Sequence, residues 1–515
     1  MAIFDRAASL FDAARRTGGL DPRQAGASAA AAAQWGASLA TPYAAAARRF
    51  PDRSAIVDDD GTLTYGELDV ATSTLAAAIR NAGLDAGDHL GVLARNGRLF
   101  LTALVAAAKC GVVPVLLNTE FAPEQLAGVL EREHVVGLIH DDGAAEAVAA
   151  SGFDGVVVDA VVERESDRLL RSVARRPVVP ILLTSGTTGT PKGARRSLGL
   201  DPRPALGMLE RIPIRTGDTF FIACPLFHAW GFAQLLTAGV LAGTVVVRAR
   251  FDVDATIDAL EHSRADVLVL VPTMLQRLLQ SPLLDDADLS SLRVVASSGS
   301  ALPMAASDEW TARVGDNLYN LYGSTEVGQA TLATPDDMRW APGTVGRAIS
   351  GTTVAVLDAA GRPLLTGEVG GIYVGSGSNF QGYTGGGSKD VVAGLMATGD
   401  VGYLDEEGRL FVTGRADDMI VSGGENVYPL EVEELLLASD GVADAAVVGV
   451  ADDAFGERLV AYVVRVEGSD IDEATVKATV ASRLSRFKVP RAVEFVDELP
   501  RTATGKVLRR KLGPE

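Results

Sequence analysis

The chain has 515 residues, 47% of them hydrophobic and 22% charged, which is long enough for several domains and apolar enough for large buried cores. The 47 basic and 66 acidic residues give a net charge of −19, which argues against a nucleic-acid surface because such a surface needs a basic stripe. Cys110 and Cys224 lie in apolar stretches without metal-ligand spacing, so we expect buried thiols and a reducing, cytoplasmic compartment.

Residues 1–40 are predicted to form an amphipathic helix and a linker. Apolar side chains in Ala2–Arg16 recur on one helical face, and Gly26–Ala40 is rich in alanine, glycine and serine. We favour packing of this helix on its own protein. The alternative is an interfacial helix that gives the protein peripheral membrane contact. No signal peptide is expected, because Asp5 and Arg6 come early and no continuous apolar core follows.

Residues 41–416 are predicted to form a large domain of α/β layers, because strand and helix patterns alternate along most of it. Predicted strands include His89–Ala94, Val112–Leu117, Val136–His140, Phe220–Cys224, Val267–Val271 and Leu292–Ala296, and predicted helices include Gly66–Ala82, Leu99–Cys110 and Pro272–Gln280. From about Gly343, short strands and glycine turns predict a small β subdomain. Residues 417–515 have the size and pattern of a small α+β domain. The expected fold class is therefore α/β, with a separate C-terminal domain.

The stretch Thr184–Gly193 follows the apolar run Val178–Leu183 and is the strongest candidate for an anion site. Its glycines, hydroxyl side chains and backbone N–H groups suit a polyphosphate, and Lys192 adds a positive charge. It is not a Walker A loop, because glycine rather than serine or threonine follows the lysine. The alternative is a mobile surface loop with a solvated lysine.

Other stretches offer the remaining groups that polyphosphate chemistry needs. Tyr322–Glu326 supplies an aromatic ring, a hydroxyl and a carboxylate suited to Mg²⁺. Asp400 could accept both hydroxyls of a ribose, and Arg415 could bind ribose or phosphate through its fork of donors. Pro500–Lys506 is a Gly/Thr loop that ends in lysine. Each stretch has an alternative when taken singly. Tyr322–Glu326 could be a turn before a helix, and Asp400 could be a solvated aspartate. Arg415 could form a surface ion pair, and Pro500–Lys506 could be part of a basic tail.

All these stretches occur together and in order, with Pro225–Gly231 (PLFHAWG) between them, and in this combination the chain resembles the adenylate-forming superfamily. That superfamily contains acyl-CoA synthetases, luciferases and the adenylation domains of peptide synthetases. The resemblance covers about Thr41 to Lys511. It implies that ATP and Mg²⁺ activate a carboxylic acid to acyl-AMP, and that the acyl group then passes to coenzyme A. Two stretches depart from the family pattern, Ala194–Ser197 and Gly394–Met396.

The resemblance also implies roles for individual residues. The β- and γ-phosphates would be held by Thr184, Ser185, Gly186, Thr187, Thr188 and Lys192, and the remainder of the nucleotide by Ser298, Gly299, Asn320, Tyr322, Gly323, Thr325, Asp400 and Arg415. Glu326 would bind Mg²⁺, and the catalytic groups would be Lys506, His228 and Glu326. The C-terminal domain would be mobile, rotating about Asp417, and the pantetheine arm of CoA would pass Ser422, Gly423 and Gly424.

The acid substrate is expected to be a medium- or long-chain fatty acid. The segment Phe227–Gly231 has no acidic residue to pair with the ammonium of an amino acid, and an unpaired buried ammonium would be costly. Trp230 and Phe232 are candidates for the acyl pocket. The alternatives are an aryl acid–CoA ligase and a fatty acyl-AMP ligase that loads a carrier protein. A catalytically silent ATP-binding regulator is disfavoured because every catalytic position is filled. The oligomeric state, including a homodimer, stays open.

Overall fold

The structure, a computed structural model, describes residues 16–17, 22–159, 178–184, 191–196, 207–376, 380–422, 425–452, 456–502 and 505–513. The helices in these ranges are α1 (Pro22–Trp35), α2 (Ala40–Arg49), α3 (Tyr65–Asn81), α4 (Arg98–Cys110), α5 (Pro123–Arg132), α6 (Ala145–Ser151), α7 (Ala229–Val240), α8 (Val253–Ser263), α9 (Pro272–Leu279), α10 (Leu283–Asp286), α11 (Met304–Arg313), α12 (Pro335–Trp340), α13 (Pro429–Leu437) and α14 (Glu473–Arg483).

The strands in the same ranges fall into four sheets. They are β1 (Ser54–Asp58), β2 (Gly61–Thr64), β3 (His89–Leu93), β4 (Val113–Leu116), β5 (Val135–His140), β6 (Val156–Val157), β7 (Ile181–Thr184), β8 (Lys192–Arg196), β9 (Thr219–Ile222), β10 (Thr244–Val246), β11 (Val267–Leu270), β12 (Val294–Ser297), β13 (Leu318–Ser324), β14 (Gly328–Ala333), β15 (Arg347–Ala348), β16 (Thr352–Leu357), β17 (Gly370–Ser376), β18 (Phe380–Tyr383), β19 (Val391–Val392), β20 (Leu395–Leu404), β21 (Leu410–Arg415), β22 (Ile420–Ser422), β23 (Glu425–Val427), β24 (Val442–Asp452), β25 (Gly456–Arg465) and β26 (Ala492–Phe495).

Two sheets with parallel centres form the large domain. The first runs in the order β15-β14-β13-β12-β11-β9-β10-β1-β2 and is parallel from β13 to β1. The second runs in the order β18-β8-β7-β4-β3-β5-β6 and is parallel from β7 to β6. Because both strand faces are buried, the central strands are continuous apolar runs such as Val267–Leu270, as the sequence predicts.

Helix α4 contacts strands of both sheets, so it must be apolar on all sides. Nearly every residue from Phe100 to Cys110 is buried, and Gly111 ends the helix in the left-handed conformation with φ of 79°. Lys109 is buried too. Its ammonium donates to Asp69 Oδ1 at 2.7 Å, and it lies over the ring of Trp35, which ties α1 and α3 to this helix.

The remaining two sheets are smaller and mostly antiparallel. One has the order β16-β17-β20-β19, with β21 paired to β20, and forms the predicted β subdomain. The other has the order β23-β22-β25-β24, with β26 parallel to β25, and packs with α13 and α14 around a separate core. That core belongs to the C-terminal domain.

Most of the predicted N-terminal helix, Ala2–Arg16, lies outside the described residues. Its described end contacts the chain itself. Arg16 Nη1 donates to Glu210 O at 2.7 Å, and the Thr216 N–H donates to Thr17 O at 2.7 Å.

No helix within the described ranges combines the length and the apolar character that crossing a membrane requires.

Candidate active site

A cavity of about 1680 Å³ lies where the carboxyl ends of the central parallel strands meet the C-terminal domain. One side is formed by the residues that follow β12 and by the end of β13, another by α7, and a third by β20 and β21. Residues 501, 502 and 505–511 of the C-terminal domain close the remaining side. This is the crevice that open α/β sheets form at their carboxyl edge.

Tyr322, Asp400 and Arg415 come together on the β subdomain side of the cavity. The Tyr322 hydroxyl donates to Asp400 Oδ2 at 2.5 Å, and Arg415 Nη1 donates to Asp400 Oδ1 at 3.2 Å. Burial and the Asp400 charge raise the pKa of Tyr322 well above its ordinary value, so the phenol stays protonated and donates. Asp400 and Arg415 are paired strand residues of β20 and β21, not turn residues, and this pairing fixes their spacing.

Glu326 lies near the phosphate-loop lysine. Its Oε2 accepts from Ser324 Oγ at 2.9 Å, and its Oε1 accepts from the Tyr383 hydroxyl at 2.7 Å. Lys192 Nζ lies 5.5 Å from the centroid of the Tyr383 ring. One oriented carboxylate beside this cavity fits Mg²⁺, which usually takes one or two carboxylates and completes its shell with water and phosphate. The described residues contain no cluster of three acidic, histidine or cysteine side chains that would favour a cage for another metal.

Lys506 enters the cavity from the C-terminal domain. Its loop is held by Arg501, whose Nη1 donates to Gly505 O and whose Nη2 donates to Asp444 Oδ2 at 2.7 Å. The Lys506 side chain is exposed to the open space of the cavity, and the protein that lines the cavity is close to it. Partial loss of water lowers the pKa of Lys506, and the negative charge of Asp400 opposes the effect.

His228 lies at the amino end of α7 and faces the same cavity. Its Nε2 atom is buried and has no hydrogen-bond partner among the described residues. Burial, assisted by the charge of Lys506, lowers the pKa of His228 to about 3, so the imidazole is neutral near pH 7. Asn96 holds the preceding loop, since its Nδ2 donates to Cys224 O at 3.0 Å and its Oδ1 accepts from the Leu226 N–H at 2.8 Å.

An apolar wall forms the side of the cavity at α7. It consists of Ala229, Trp230, Ala233, Leu236, Thr237 and Val240, with Met208, Leu209, Met304 and Met338 nearby. Trp230 Nε1 donates to Leu270 O at 3.0 Å, which fixes the indole ring. Phe232, predicted for this pocket, packs in the core instead and is absent from the wall, because it lies on the opposite face of α7.

The structure brings most of the other predicted site residues to the cavity. Those that line it are Thr184, Lys192, Ser298, Gly299, Asn320, Tyr322, Gly323, Thr325, Glu326, Asp400, Arg415, Asp417 and Lys506, besides His228 and Trp230. Tyr322 and Gly323 lie within β13 rather than in a loop after it. A Cβ at Gly323 would stand 2.0 Å from Gly328 O, so only glycine fits this strand pair.

The remaining predicted residues are outside the cavity or outside the described ranges. Ser422 ends β22 and pairs with Gly456, away from the cavity. The predictions for Ser185, Gly186, Thr187, Thr188, Gly423 and Gly424 fall on residues that the structure does not describe.

Several side chains that orient the site are not apparent in the sequence. Tyr383 orients Glu326, Asn96 orients the His228 loop, and Asp444 orients the Lys506 loop through Arg501. Each partner is between 57 and 128 positions away. No periodicity or local spacing could have pointed to them, because strand order alone brings them together.

Comparison with protein families and relatives agrees with this geometry. The family model described as "AMP-binding enzyme" matches residues 43–384, and the model described as "AMP-binding enzyme C-terminal domain" matches residues 431–506. Indoleacetate–CoA ligase of Aromatoleum aromaticum is 34% identical over 483 residues, covering 89% of this chain and 94% of the relative. Feruloyl-CoA synthase of an Amycolatopsis species is also 34% identical over 483 residues, covering 91% and 97%.

The solved structures give the same result. ATP-bound MatB from Rhodopseudomonas palustris is 30% identical, with a TM-score of 0.79, and the match covers 92% of this chain and 98% of that one. This confirms the predicted fold, a large N-terminal α/β domain with a small C-terminal domain. It also supports ATP, Mg²⁺ and CoA as the reagents, which the one oriented carboxylate and the enclosed lysine fit. The chain therefore belongs to the AMP-binding enzyme family, within the adenylate-forming superfamily, and is an AMP-forming acid–CoA ligase.

Proposed function

We propose that this enzyme activates a ring-bearing carboxylic acid with ATP and transfers the acyl group to coenzyme A. The observation that carries the proposal is the meeting of Lys506 with Asp400, Glu326 and His228 in one cavity, next to an apolar wall. A cation enclosed between a nucleotide site and an acid site can neutralise two anions that must approach each other.

The first half-reaction joins the acid to the nucleotide. A carboxylate oxygen attacks the α-phosphorus of ATP, the bond from that phosphorus to the bridging β-phosphate oxygen breaks, and pyrophosphate leaves. We assign Lys506 to the carboxylate and the α-phosphate. In the second half-reaction the CoA thiol loses its proton, its sulfur attacks the acyl carbonyl, and AMP leaves.

The other residues are assigned by their position in the cavity. Thr184 and Lys192 would bind the β- and γ-phosphates, while Asp400 and Arg415 would hold the ribose. Ser298, Gly299, Asn320, Tyr322, Gly323 and Thr325 would surround the rest of the nucleotide. Glu326 would hold Mg²⁺, which when bound offsets the phosphate charge. The neutral His228 would lie beside the acid without adding charge of its own.

A ring-bearing acid fits the apolar wall better than a saturated chain does. Trp230 presents a fixed aromatic face, and Met208, Met304 and Met338 are polarisable side chains that contact rings favourably. The side chains that α7 contributes to the wall carry no carboxylate, which disfavours amino acids. The two relatives above are named for indoleacetate and ferulate, both aromatic acids.

Pyrophosphate release across an acid panel, with and without CoA, tests the substrate class. Indole-3-acetate, ferulate and decanoate contain equal numbers of carbon atoms, so they separate ring shape from size. We expect at least one of the two aromatic acids to exceed decanoate in kcat/KM about tenfold or more, the effect of one good aromatic contact. A preference for decanoate over both would instead favour a fatty acid–CoA ligase.

The Lys506→Ala variant tests the assigned chemistry. Acyl-AMP formation should fall about a thousandfold, since a positioned charge at the reacting centre contributes most to that step. Thioester formation from supplied acyl-AMP should stay within about twofold, because no phosphate displacement remains to be catalysed. Equal losses in both half-reactions would contradict the assignment.

A further inference from the structure

Two adjacent side chains at the end of α5 hold the residues on either side of Lys192. Arg132 Nη1 donates to Pro191 O at 2.6 Å, and Glu133 Oε1 accepts from the Gly193 N–H at 3.2 Å. Lys192 stands between these two residues, so its backbone is restrained on both sides. We call the Arg132 and Glu133 side chains the α5 clamp.

Glu133 is part of the packed interior. It is 1% exposed, and its Oε1 accepts a second hydrogen bond from Thr384 Oγ1 at 2.7 Å. A Cβ at Gly193 would lie 2.6 Å from Glu133 Oε2, closer than real contacts allow. The missing side chain of Gly193 therefore leaves the room that Glu133 occupies. Burying a carboxylate costs several kcal/mol of folding free energy. A buried Glu133 therefore calls for a structural or functional reason.

The same contacts join Lys192 to Glu326 through two neighbouring residues. The Thr384 N–H donates to Gly193 O at 2.9 Å, and the Tyr383 hydroxyl donates to Glu326 Oε1 at 2.7 Å. Tyr383 also lies beneath the Lys192 ammonium. The clamp thus fixes the β8–β18 strand pair, which carries the loop lysine and Tyr383, the hydrogen-bond partner of the metal-binding candidate Glu326.

We propose that Arg132 and Glu133 are positioning residues that hold Lys192 ready for the β- and γ-phosphates of ATP. The inference rests on the phosphate role proposed for Lys192. Among the described residues Lys192 has no acidic partner, so its backbone restraints do most to define where its ammonium can reach. A restrained lysine loses less conformational entropy when it binds phosphate.

Nucleotide affinity measured by calorimetry on the purified full-length enzyme tests the clamp. Glu133→Ala should weaken ATP binding about tenfold, as a displaced binding group does, and leave AMP binding unchanged because AMP lacks the β- and γ-phosphates. Glu133→Gln should retain most of the ATP affinity, since its amide oxygen can accept the same two hydrogen bonds. Glu131→Ala, an exposed glutamate on the same helix, is the matched control and should bind both nucleotides normally.

The Lys192→Ala variant separates failure of the inference from failure of the role on which it rests. If Lys192→Ala does not weaken ATP relative to AMP, the phosphate role itself is wrong. If Lys192→Ala weakens ATP binding selectively, but Glu133→Ala binds ATP normally or loses affinity for ATP and AMP equally, the positioning role of the clamp is wrong. The double variant with Lys192→Ala and Glu133→Ala should bind ATP no more weakly than Lys192→Ala alone. Should Glu133→Ala not fold, Arg132→Ala, which removes the other half of the clamp, must show the same selective loss.

Discussion

Enclosure sets the protonation states of the side chains around the reacting centre. Tyr322 stays a hydrogen-bond donor because burial and Asp400 raise the pKa of its hydroxyl. His228 stays neutral because burial lowers its pKa to about 3. His228 therefore adds no positive charge beside the acid, where the assigned chemistry uses the charge of Lys506.

A neutral, half-buried His228 should make the enzyme sensitive to acid. Its folded pKa of about 3 lies below the value near 6.5 expected for an unfolded chain, so the unfolded chain binds more protons between these values. The stabilisation is complete above pH 6.5 and is lost as the pH falls toward 3. Between pH 7 and pH 5 the wild type should lose about 2 kcal/mol more unfolding free energy than His228→Gln, measured by urea denaturation at both pH values.

His262 provides a control of opposite sign. Hydrogen bonding to Asp258 and the charge of that residue raise the pKa of this exposed histidine, so its contribution is present at low pH and is lost as the pH rises. His262→Gln should not reduce the acid sensitivity. If His228→Gln and wild type lost equal stability between pH 7 and pH 5, His228 would not be buried in its neutral form.

Candidate site residues could be predicted from the sequence where they belong to a short motif. They could not be predicted where distant strands bring them to the site. Lys192, Glu326, Asp400 and Lys506 stand out by their short motifs, and all four line the cavity. Glu133 was not, because nothing near it shows that α5 ends beside the strand after the phosphate loop. Phe232 was placed in the acyl pocket since apolar residues of a helix look alike until the helix is oriented.

At the scale of elements, the central strands and helices were predictable because their burial leaves a simple pattern. Helix α4 was predicted at Leu99–Cys110 and runs from Arg98 to Cys110, ended by a glycine. From its sequence the stretch Tyr322–Glu326 could be a turn before a helix, yet β13 extends to Ser324 because antiparallel pairing with β14 continues the sheet. Such pairing depends on a neighbouring strand and not on the strand's own residues.

The position of the Lys506 loop should change if any side chain is introduced at Gly505. A Cβ there would lie 2.2 Å from Thr273 Oγ1 on α9, so Gly505→Ala must displace the loop from the large domain. We expect acyl-AMP formation to fall about a hundredfold, as for a misplaced catalytic group, with thioester formation from supplied acyl-AMP unchanged. Single-turnover assays of the two half-reactions measure this difference.

Gly468 is a matched glycine in the same domain. Its φ of 81° resembles the 78° of Gly505, but a Cβ there would meet nothing within 4 Å. Gly468→Ala therefore imposes a similar backbone strain without the clash. If both variants impaired acyl-AMP formation equally, strain within the C-terminal domain rather than contact with Thr273 would be responsible.

At the scale of the whole molecule, the C-terminal domain brings Lys506 into the cavity, the arrangement that the proposed first half-reaction needs. Ser422 and the described residues of β22 and β23 do not line the cavity. Under the proposed mechanism, transfer to CoA would require the domain to turn so that these two strands replace the lysine. The sequence could indicate this motion only through family resemblance, because no local pattern encodes the relative orientation of two domains.

Asp417 is the position at which we expect that rotation to occur. It lies between β21 of the large domain and β22 of the C-terminal domain, and Arg415 Nε donates to its Oδ1 at 2.8 Å. Its N–H donates to no backbone carbonyl in the described part of the chain, so proline at this position would break no backbone hydrogen bond there. Proline would fix φ near −65° and restrict Ala416 to extended conformations.

The Asp417→Pro variant should therefore restrict rotation of the domain at this position. We expect acyl-AMP formation to match that of Asp417→Ala, which loses the same carboxylate but keeps a free backbone. Thioester formation from supplied acyl-AMP should fall about a hundredfold below that control, because β22 and β23 cannot reach the cavity. If proline and alanine reduced both half-reactions alike, rotation would occur at another position, and the loss would reflect only the missing contact between Asp417 and Arg415.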